Sequence, residues 1–183
     1  MASATIDALQ ELIRQDALKF GEFTLASGAT SSYYLDCRKV TLQSRGAALI
    51  GAAILEHLGD ELPDAVGGMA IGADPITGAV ITVAGLQGRQ LNGFIVRKEQ
   101  KGHGTQQMVE GPVKPGDRVV IVEDVVTTGG SSVKAIQHAR DFGLEVTKVI
   151  GIVDRLQGGE AAFRDAGCDF HALLSIRDFG VDA

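Results

Sequence analysis

The sequence predicts an α/β fold in which a twisted, mostly parallel sheet is flanked by helices. Short apolar runs alternate along the chain with stretches of helical spacing, as in parallel sheets covered by helices on both faces. Residues 119–122 are four consecutive β-branched residues, which is typical of a buried strand. The chain has 183 residues, of which 45% are hydrophobic and 22% charged, so we expect one domain with one large core.

The first half of the chain contains helical patterns and short extended runs. Apolar residues at helical spacing predict two helices, at residues 5–19 and 43–58. Runs bounded by turn residues predict three extended segments, at residues 21–28, 32–36 and 65–70. Asp74 suits an N-cap and Pro75 a first helical position, so a third helix should run from Pro75 to about Gly85.

The second half continues the alternation. We predict strands at residues 91–97, 119–122, 146–153 and about 170–174. Helices are expected between them, at residues 131–142 and 160–166, with Gly143 and Gly167 at their C-terminal ends. Residues 98–110 are polar and lack a period, which indicates a long loop. A turn at residues 112–117 leads into the strand at 119–122.

Charge and cysteine content argue against several classes of protein. A net charge of −6 argues against a general nucleic-acid-binding surface. Cys37 and Cys168 are too few and too far apart for a disulfide framework or a zinc site, so we interpret them as reduced, packed thiols. Because no apolar run approaches a membrane span and residues 1–14 do not resemble a secretory leader, we expect a soluble cytoplasmic protein without membrane partners.

The strongest signal for a site follows the strand at residues 119–122. Glu123 and Asp124 come directly after this strand, and a hydroxyl- and glycine-rich turn at residues 127–132 precedes a helix. Ligands of open parallel sheets lie beyond the carboxyl ends of the strands. The helix start offers backbone N–H groups to a phosphate, and the carboxylates accept hydrogen bonds from ribose hydroxyls. The stretch therefore predicts a sugar-phosphate site.

The alternative for this stretch is a purely structural strand-to-helix junction whose helix is capped by Thr128 or Ser131. Capping would explain one hydroxyl but not two adjacent acids at the end of a buried strand. The P-loop pattern, the dinucleotide-binding glycine pattern and the H-E-x-x-H and C-x-x-C motifs do not occur in the sequence.

A second cluster of charge lies at residues 97–104, R-K-E-Q-K-G-H-G. It contains Arg97, Lys98, Lys101 and His103 within seven residues. A solvated charged loop is the plain interpretation. The alternative is a set of cations that meets an anionic leaving group.

The sequence V-V-I-V-E-D-V-V-T-T-G-G-S resembles the phosphoribosyl pyrophosphate motif of type I phosphoribosyltransferases. Residues 97–104 resemble the catalytic loop of the orotate phosphoribosyltransferase family, R-K-x-x-K-x-H-G. Residues 23–28 and 32–36 look like the family's N-terminal hood over the base, and residues 153–155 like the strand end whose arginine meets the orotate carboxylate. The resemblance runs from about Phe20 to Gly158.

This resemblance implies a type I phosphoribosyltransferase fold, with residues 1–183 as one domain and a small hood contributed mainly by about residues 1–40. It implies a pentosyltransferase that moves the phosphoribosyl group of 5-phosphoribosyl 1-pyrophosphate to orotate, in the biosynthesis of UMP. The products are orotidine 5′-monophosphate and pyrophosphate. It also implies Mg²⁺ held mainly by substrate, and a homodimer in which the loop at residues 97–104 completes the partner's site and closes over it.

Individual roles follow from the same resemblance. The catalytic candidates are Lys98, Lys101, His103 and Asp124. The substrate-binding candidates are Arg97, Glu123, Val125, Val126, Thr127, Thr128, Gly129, Gly130, Ser131, Arg155, Tyr34, Leu35 and Ala73. Tyr34, Leu35 and Arg155 are expected to select the base, and Thr127 to reach it as well.

The sequence departs from the family pattern at two positions. Some members carry a lysine where this chain has Ala26, and a Tyr-Lys pair where residues 72–75 read Gly-Ala-Asp-Pro. We therefore expect backbone N–H groups near Ala73, in place of a lysine side chain, to bind pyrophosphate. Two alternatives stay open: another nucleobase phosphoribosyltransferase, and a non-catalytic regulator that senses the donor.

Overall fold

The computed structural model describes residues 3–24, 30–99 and 107–182. The helices are α1 (Ala4–Asp16), α2 (Arg38–Thr41), α3 (Ser44–Leu58), α4 (Ala73–Leu86), α5 (Gly130–Phe142) and α6 (Gly159–Asp165). The strands are β1 (Leu18–Thr24), β2 (Thr30–Leu35), β3 (Ala65–Met69), β4 (Asn92–Val96), β5 (Val109–Glu110), β6 (Arg118–Val126), β7 (Glu145–Asp154) and β8 (Asp169–Ser175). A 3₁₀ helix, Ile176–Phe179, follows β8.

The central sheet has the strand order β5-β4-β3-β6-β7-β8. Every neighbouring pair is parallel except β4–β5, which is antiparallel. This order confirms the predicted mostly parallel sheet. Because β6 lies between β3 and β7, the residues that follow its buried part reach the middle of the carboxyl edge, where ligands of such sheets bind.

Helices cover both faces of this sheet. Val120 and Val122 belong to the core under α1, α3 and α4, whereas Val119 and Ile121 belong to the core under α5 and α6. Alternate side chains of one strand thus enter opposite cores, which is why the run at residues 119–122 is apolar throughout. β1 and β2 form a separate antiparallel hairpin, with Leu18 opposite Leu35.

The structure corrects several predicted boundaries. β6 continues to Val126, four residues beyond the predicted end, because its pairing with β7 continues as far as Asp154. Glu123 and Asp124 therefore lie within the strand. α4 begins at Ala73 with Gly72 as its N-cap, so the prediction that Asp74 is the N-cap was wrong.

Three short elements were missed. β5 occupies the end of the predicted loop at residues 98–110, and α2 and the 3₁₀ helix follow β2 and β8. Elements of two to four residues are too short to show a hydrophobic period. None of the helices in the described part of the chain combines the length and apolar character that crossing a bilayer requires.

Candidate active site

A cavity of about 360 Å³ opens at the carboxyl edge of β3 and β6. Its wall includes residues 35–38 at the end of the hairpin, residues 69–72 after β3, and Lys98 after β4. Glu123, Asp124, Val125 and Ser131 complete it from β6 and α5. Cavities of about 550 and 600 Å³ lie elsewhere, but the acidic pair lines neither of them. The smaller cavity is therefore the candidate active site.

Glu123 joins the strand to the helix at this edge. Its side chain is buried, and the hydroxyls of Ser131 and Ser132 both donate to its Oε2 at 2.7 Å. Burial raises the pKa of Glu123, while these two hydrogen bonds oppose the rise. The hydroxyl of Ser131 is thus directed to Glu123, so at this position the backbone N–H is the group that remains for a phosphate.

Asp124 is the more open of the two acids. It is half-buried, and its Oδ1 accepts a hydrogen bond from the backbone N–H of Val125 at 2.9 Å. A Cβ built on Gly72 would lie 2.9 Å from this same oxygen. The loop after β3 therefore approaches the carboxylate so closely that only glycine leaves it undisturbed.

The turn between β6 and α5 has the geometry of an anion site. Gly129 is left-handed, with φ of 80°, and α5 begins at Gly130. Thr127 and Thr128 precede it, half-buried and exposed respectively. The first N–H groups of a helix have no partner within the helix, and the helix dipole adds positive potential there. This turn can receive a phosphate beside the acidic pair.

Two cations line the cavity. The exposed Lys98 is one, and it lines the cavity of its own chain, whereas the predicted role of this loop is in the site of a partner subunit. The second is Arg38, whose Nε and Nη2 donate to the two carboxylate oxygens of Asp36 at 2.8 and 3.2 Å. These bonds hold the pKa of Asp36 below its ordinary value. Sequence reasoning missed this pair, although an acid at the end of the predicted strand at residues 32–36 and a base two residues later were a usable signal.

Other predicted cations lie apart from this wall or outside the described residues. Arg97 faces β5, where its Nη1 lies 3.6 Å from Glu110 Oε1, and it does not line the cavity. Lys101 and His103 lie outside the described residues.

The remaining candidates divide between the cavity and its surroundings. Leu35 and Val125 line the cavity, whereas the side chains of Val126 and Ala73 are buried in the core. Ala73 still starts α4, so a role for backbone N–H groups near it stays a prediction. Tyr34 is 41% exposed and packs against Phe23, with ring centroids 5.7 Å apart.

Arg155 directly follows β7 and contacts the hairpin. Its Nε donates to the hydroxyl of Tyr33 at 2.8 Å, and its guanidinium carbon lies 4.9 Å from the centroid of the Tyr33 ring. Tyr33, rather than the neighbouring Tyr34, therefore connects the hairpin to the predicted base-binding arginine.

Comparison with known proteins gives consistent matches. The family model of the phosphoribosyl transferase domain matches residues 41–169. An orotate phosphoribosyltransferase of Rhodopirellula baltica is 53% identical, over 99% of this chain and 97% of the relative. The crystal structure of Mycobacterium tuberculosis orotate phosphoribosyltransferase in complex with Fe(III) dicitrate gives a TM-score of 0.87 at 38% identity, covering 97% and 99% of the two chains. The structure of that enzyme in complex with 5-phospho-α-D-ribosyl 1-diphosphate gives a TM-score of 0.83 at 34% identity, and it covers 97% and 99% of the two chains.

The mostly parallel sheet, the acidic pair before a glycine turn and the family match together define the class of protein. The chain belongs to the phosphoribosyltransferase family. Within it, identity of 53% over nearly the whole of both chains places the protein among the orotate phosphoribosyltransferases. The predicted fold, family and pentosyltransferase class are confirmed.

Proposed function

We propose that this protein transfers the phosphoribosyl group of 5-phosphoribosyl 1-pyrophosphate to N1 of orotate, giving orotidine 5′-monophosphate and pyrophosphate. The observation that carries the proposal is one cavity lined by an acidic pair, by Ser131 at the start of α5 and by two cations, with the glycine turn directly before this helix. The acidic pair suits a ribose, the start of the helix suits its 5′-phosphate, and the cations suit a pyrophosphate leaving group.

The acids and the turn hold the ribose 5-phosphate. Asp124 accepts hydrogen bonds from the ribose hydroxyls, and Glu123 fixes the turn through two serine hydroxyls while its second oxygen faces the loop at Gly72. The 5′-phosphate lies on the N–H groups from Thr127 to Ser131. Fixing both ends of the sugar positions the anomeric carbon for the base.

Cations stabilise the departing pyrophosphate. As the bond at the anomeric carbon breaks, positive charge grows on the ribose and negative charge on the leaving group. Lys98 and Arg38 line the cavity where that negative charge develops. We assign Lys101 and His103, from the same loop as Lys98, to the same task, and Arg155 to the orotate carboxylate.

The residues of the cavity fit a magnesium ion bound mostly through substrate. Mg²⁺ prefers oxygen ligands and is usually held by one or two carboxylates together with substrate phosphates, and Asp124 offers such a carboxylate. Within residues 3–24, 30–99 and 107–182, no group of three or more His, Cys, Asp or Glu side chains is arranged to hold a metal. When bound, the ion would neutralise charge on the pyrophosphate oxygens.

The test is an orotate absorbance assay with donor and Mg²⁺, in which each nucleobase is supplied in turn. We expect turnover with orotate and loss of turnover in Asp124→Asn, which is nearly isosteric but uncharged. Turnover with a purine and not with orotate would favour the other nucleobase specificity. Tight donor binding without turnover of any base would favour a regulator.

Homodimerisation with a shared site, a cytoplasmic location and a single domain over residues 1–183 stay predictions. Mixing inactive Lys98→Ala with inactive Asp124→Asn protein tests the first of them. If Lys98 serves the partner's site, hybrid dimers contain one intact site and should recover up to about half the activity of the corresponding wild-type dimers. The control mixes each variant with itself, and no recovery after verified subunit exchange would contradict a shared site.

A further inference from the structure

The contact between Tyr33 and Arg155 joins two segments that are 122 residues apart in the sequence. Tyr33 lies in β2 and is 7% exposed, and its ring and hydroxyl both contact the guanidinium. The hydroxyl accepts a hydrogen bond from Nε, and the ring lies under the charged plane. Arginine can make both contacts through Nε and its planar cation and still keep Nη1 and Nη2 for a ligand, whereas lysine has a single nitrogen for all of these contacts.

The backbone of Arg155 is already fixed. Its N–H donates to Val126 O at 2.8 Å, and the next N–H, of Leu156, donates to Asp154 Oδ1 at 2.8 Å. Asp154 is itself buried. The freedom that remains to Arg155 is therefore in its side chain, and Tyr33 is the residue that restricts it.

We infer that Tyr33 is a positioning residue that presents Arg155 end-on to the carboxylate of orotate. This inference rests on the proposed function. An arginine can bind a carboxylate through Nε and Nη2 or through Nη1 and Nη2, and Tyr33 occupies Nε. In the part of the chain that the structure describes, Nη1 and Nη2 have no hydrogen-bond partner, so the end-on pair is available.

The same contact links base selection to the hairpin. Tyr33 is paired with Phe20 across β1 and β2, so the hairpin and the arginine share one fixed point. A preorganised guanidinium loses less side-chain freedom when orotate binds, which favours affinity for the base. The restraint acts on the arginine proposed for the base and not on the groups proposed for the donor, so the affinity for the donor should not change.

The experiment compares Tyr33→Phe, which removes one oxygen and keeps the ring, with the wild-type protein. We expect the KM for orotate to rise at least about tenfold, the lower end of the factor for losing one hydrogen bond to a charged group. The KM for the donor, kcat and the thermal midpoint should stay close to those of the wild type.

A double-mutant cycle separates positioning from a general structural role. In an Arg155→Met background the hydroxyl has neither a donor nor a cation as its partner, so adding Tyr33→Phe should change kcat/KM for orotate less than twofold. An unchanged KM for orotate in Tyr33→Phe, an equal rise in the donor KM, or full additivity with Arg155→Met would overturn the inference while leaving orotate turnover by the wild type intact. A wild-type protein that does not use orotate would instead remove the proposed function itself.

Discussion

Gly72 offers a way to disturb the donor site without disturbing the fold. Its backbone, with φ of −59° and ψ of −40°, is ordinary right-handed helix that alanine adopts without strain. The Cβ of an alanine there would lie 2.9 Å from Asp124 Oδ1, 3.3 Å from its Cγ and 3.4 Å from Glu123 Oε1. Gly72→Ala therefore adds one methyl group directly against the acidic pair.

The expected effect follows from this distance. Ordinary contacts of a Cβ begin at 3.4 Å, so the Asp124 carboxylate has to move by about half an ångström. A displacement of about 1 Å in a positioned group costs up to about a hundredfold in rate, so we expect kcat/KM for the donor to fall about tenfold. This factor corresponds to about 1.4 kcal/mol of transition-state stabilisation. Global stability should hardly change, because the half-buried carboxylate has room to yield and alanine restricts the unfolded chain.

The matched control is Gly78→Ala in the same helix. A Cβ at Gly78 meets nothing within 4 Å, and the residue lies on the exposed side of α4. We expect Gly78→Ala to keep wild-type activity and to raise the free energy of unfolding by about 0.5–1 kcal/mol. Steady-state kinetics with varied donor, and urea unfolding of both variants, check these outcomes. Wild-type donor kinetics in Gly72→Ala would refute the view that the acidic pair must keep this position.

Two further predictions concern titrating groups. Glu123→Gln keeps an acceptor for the two serine hydroxyls and removes a carboxylate whose pKa is raised by burial. Ionising the buried Glu123 opposes folding above its ordinary pKa, so the wild type loses stability as pH rises from 4.5 to 7. Urea unfolding should show that the variant loses less free energy of unfolding over this range. The pKa of His57 is lowered from 6.5 to about 4 by burial and by electrostatic repulsion from Lys148 and from His171, on which its ring stacks. Its neutral form favours folding above pH 6.5, and this contribution is lost as pH falls toward 4. The thermal midpoint of His57→Asn should therefore fall less than that of the wild type between pH 6.5 and 4. An equal fall in the two proteins would contradict the assignment.

The fold could be predicted because its signals are local. The apolar run at residues 119–122 identifies a strand buried on both faces, and the glycines after it mark where the chain turns into α5. Boundaries were less certain, since the extension of β6 to Val126 depends on pairing with β7 and not on its own side chains. The same sequence fits a strand that ends before the two acids and a strand that continues through them.

The site was predicted in outline, and its contacts were not. Residues close together in sequence, such as Glu123 and Ser131, could be assigned to one ligand from the motif alone. Arg38 and Tyr33 were not, because Arg38 reaches the cavity and Tyr33 reaches Arg155 only through tertiary packing, although the spacing of Asp36 and Arg38 was a usable signal. The contact of Tyr33 with Arg155 shows the difficulty, since adjacent residues of a strand point to opposite sides and the sequence does not say which side meets Arg155; a role for Tyr34 at the base stays a prediction.

The motif also conceals a division of tasks between its two acids. In sequence Glu123 and Asp124 are equivalent carboxylates, and both were expected to hold ribose hydroxyls. In the structure Glu123 is buried and accepts two hydroxyl hydrogen bonds from the start of α5, whereas Asp124 is half-buried beside the loop at Gly72. Glu123 therefore fixes the geometry of the turn before α5, and Asp124 is the more open of the two to a ligand. Because a buried carboxylate that accepts two hydrogen bonds tolerates less displacement than a half-buried one, a substitution of Glu123 should disturb this turn more than a substitution of Asp124 does.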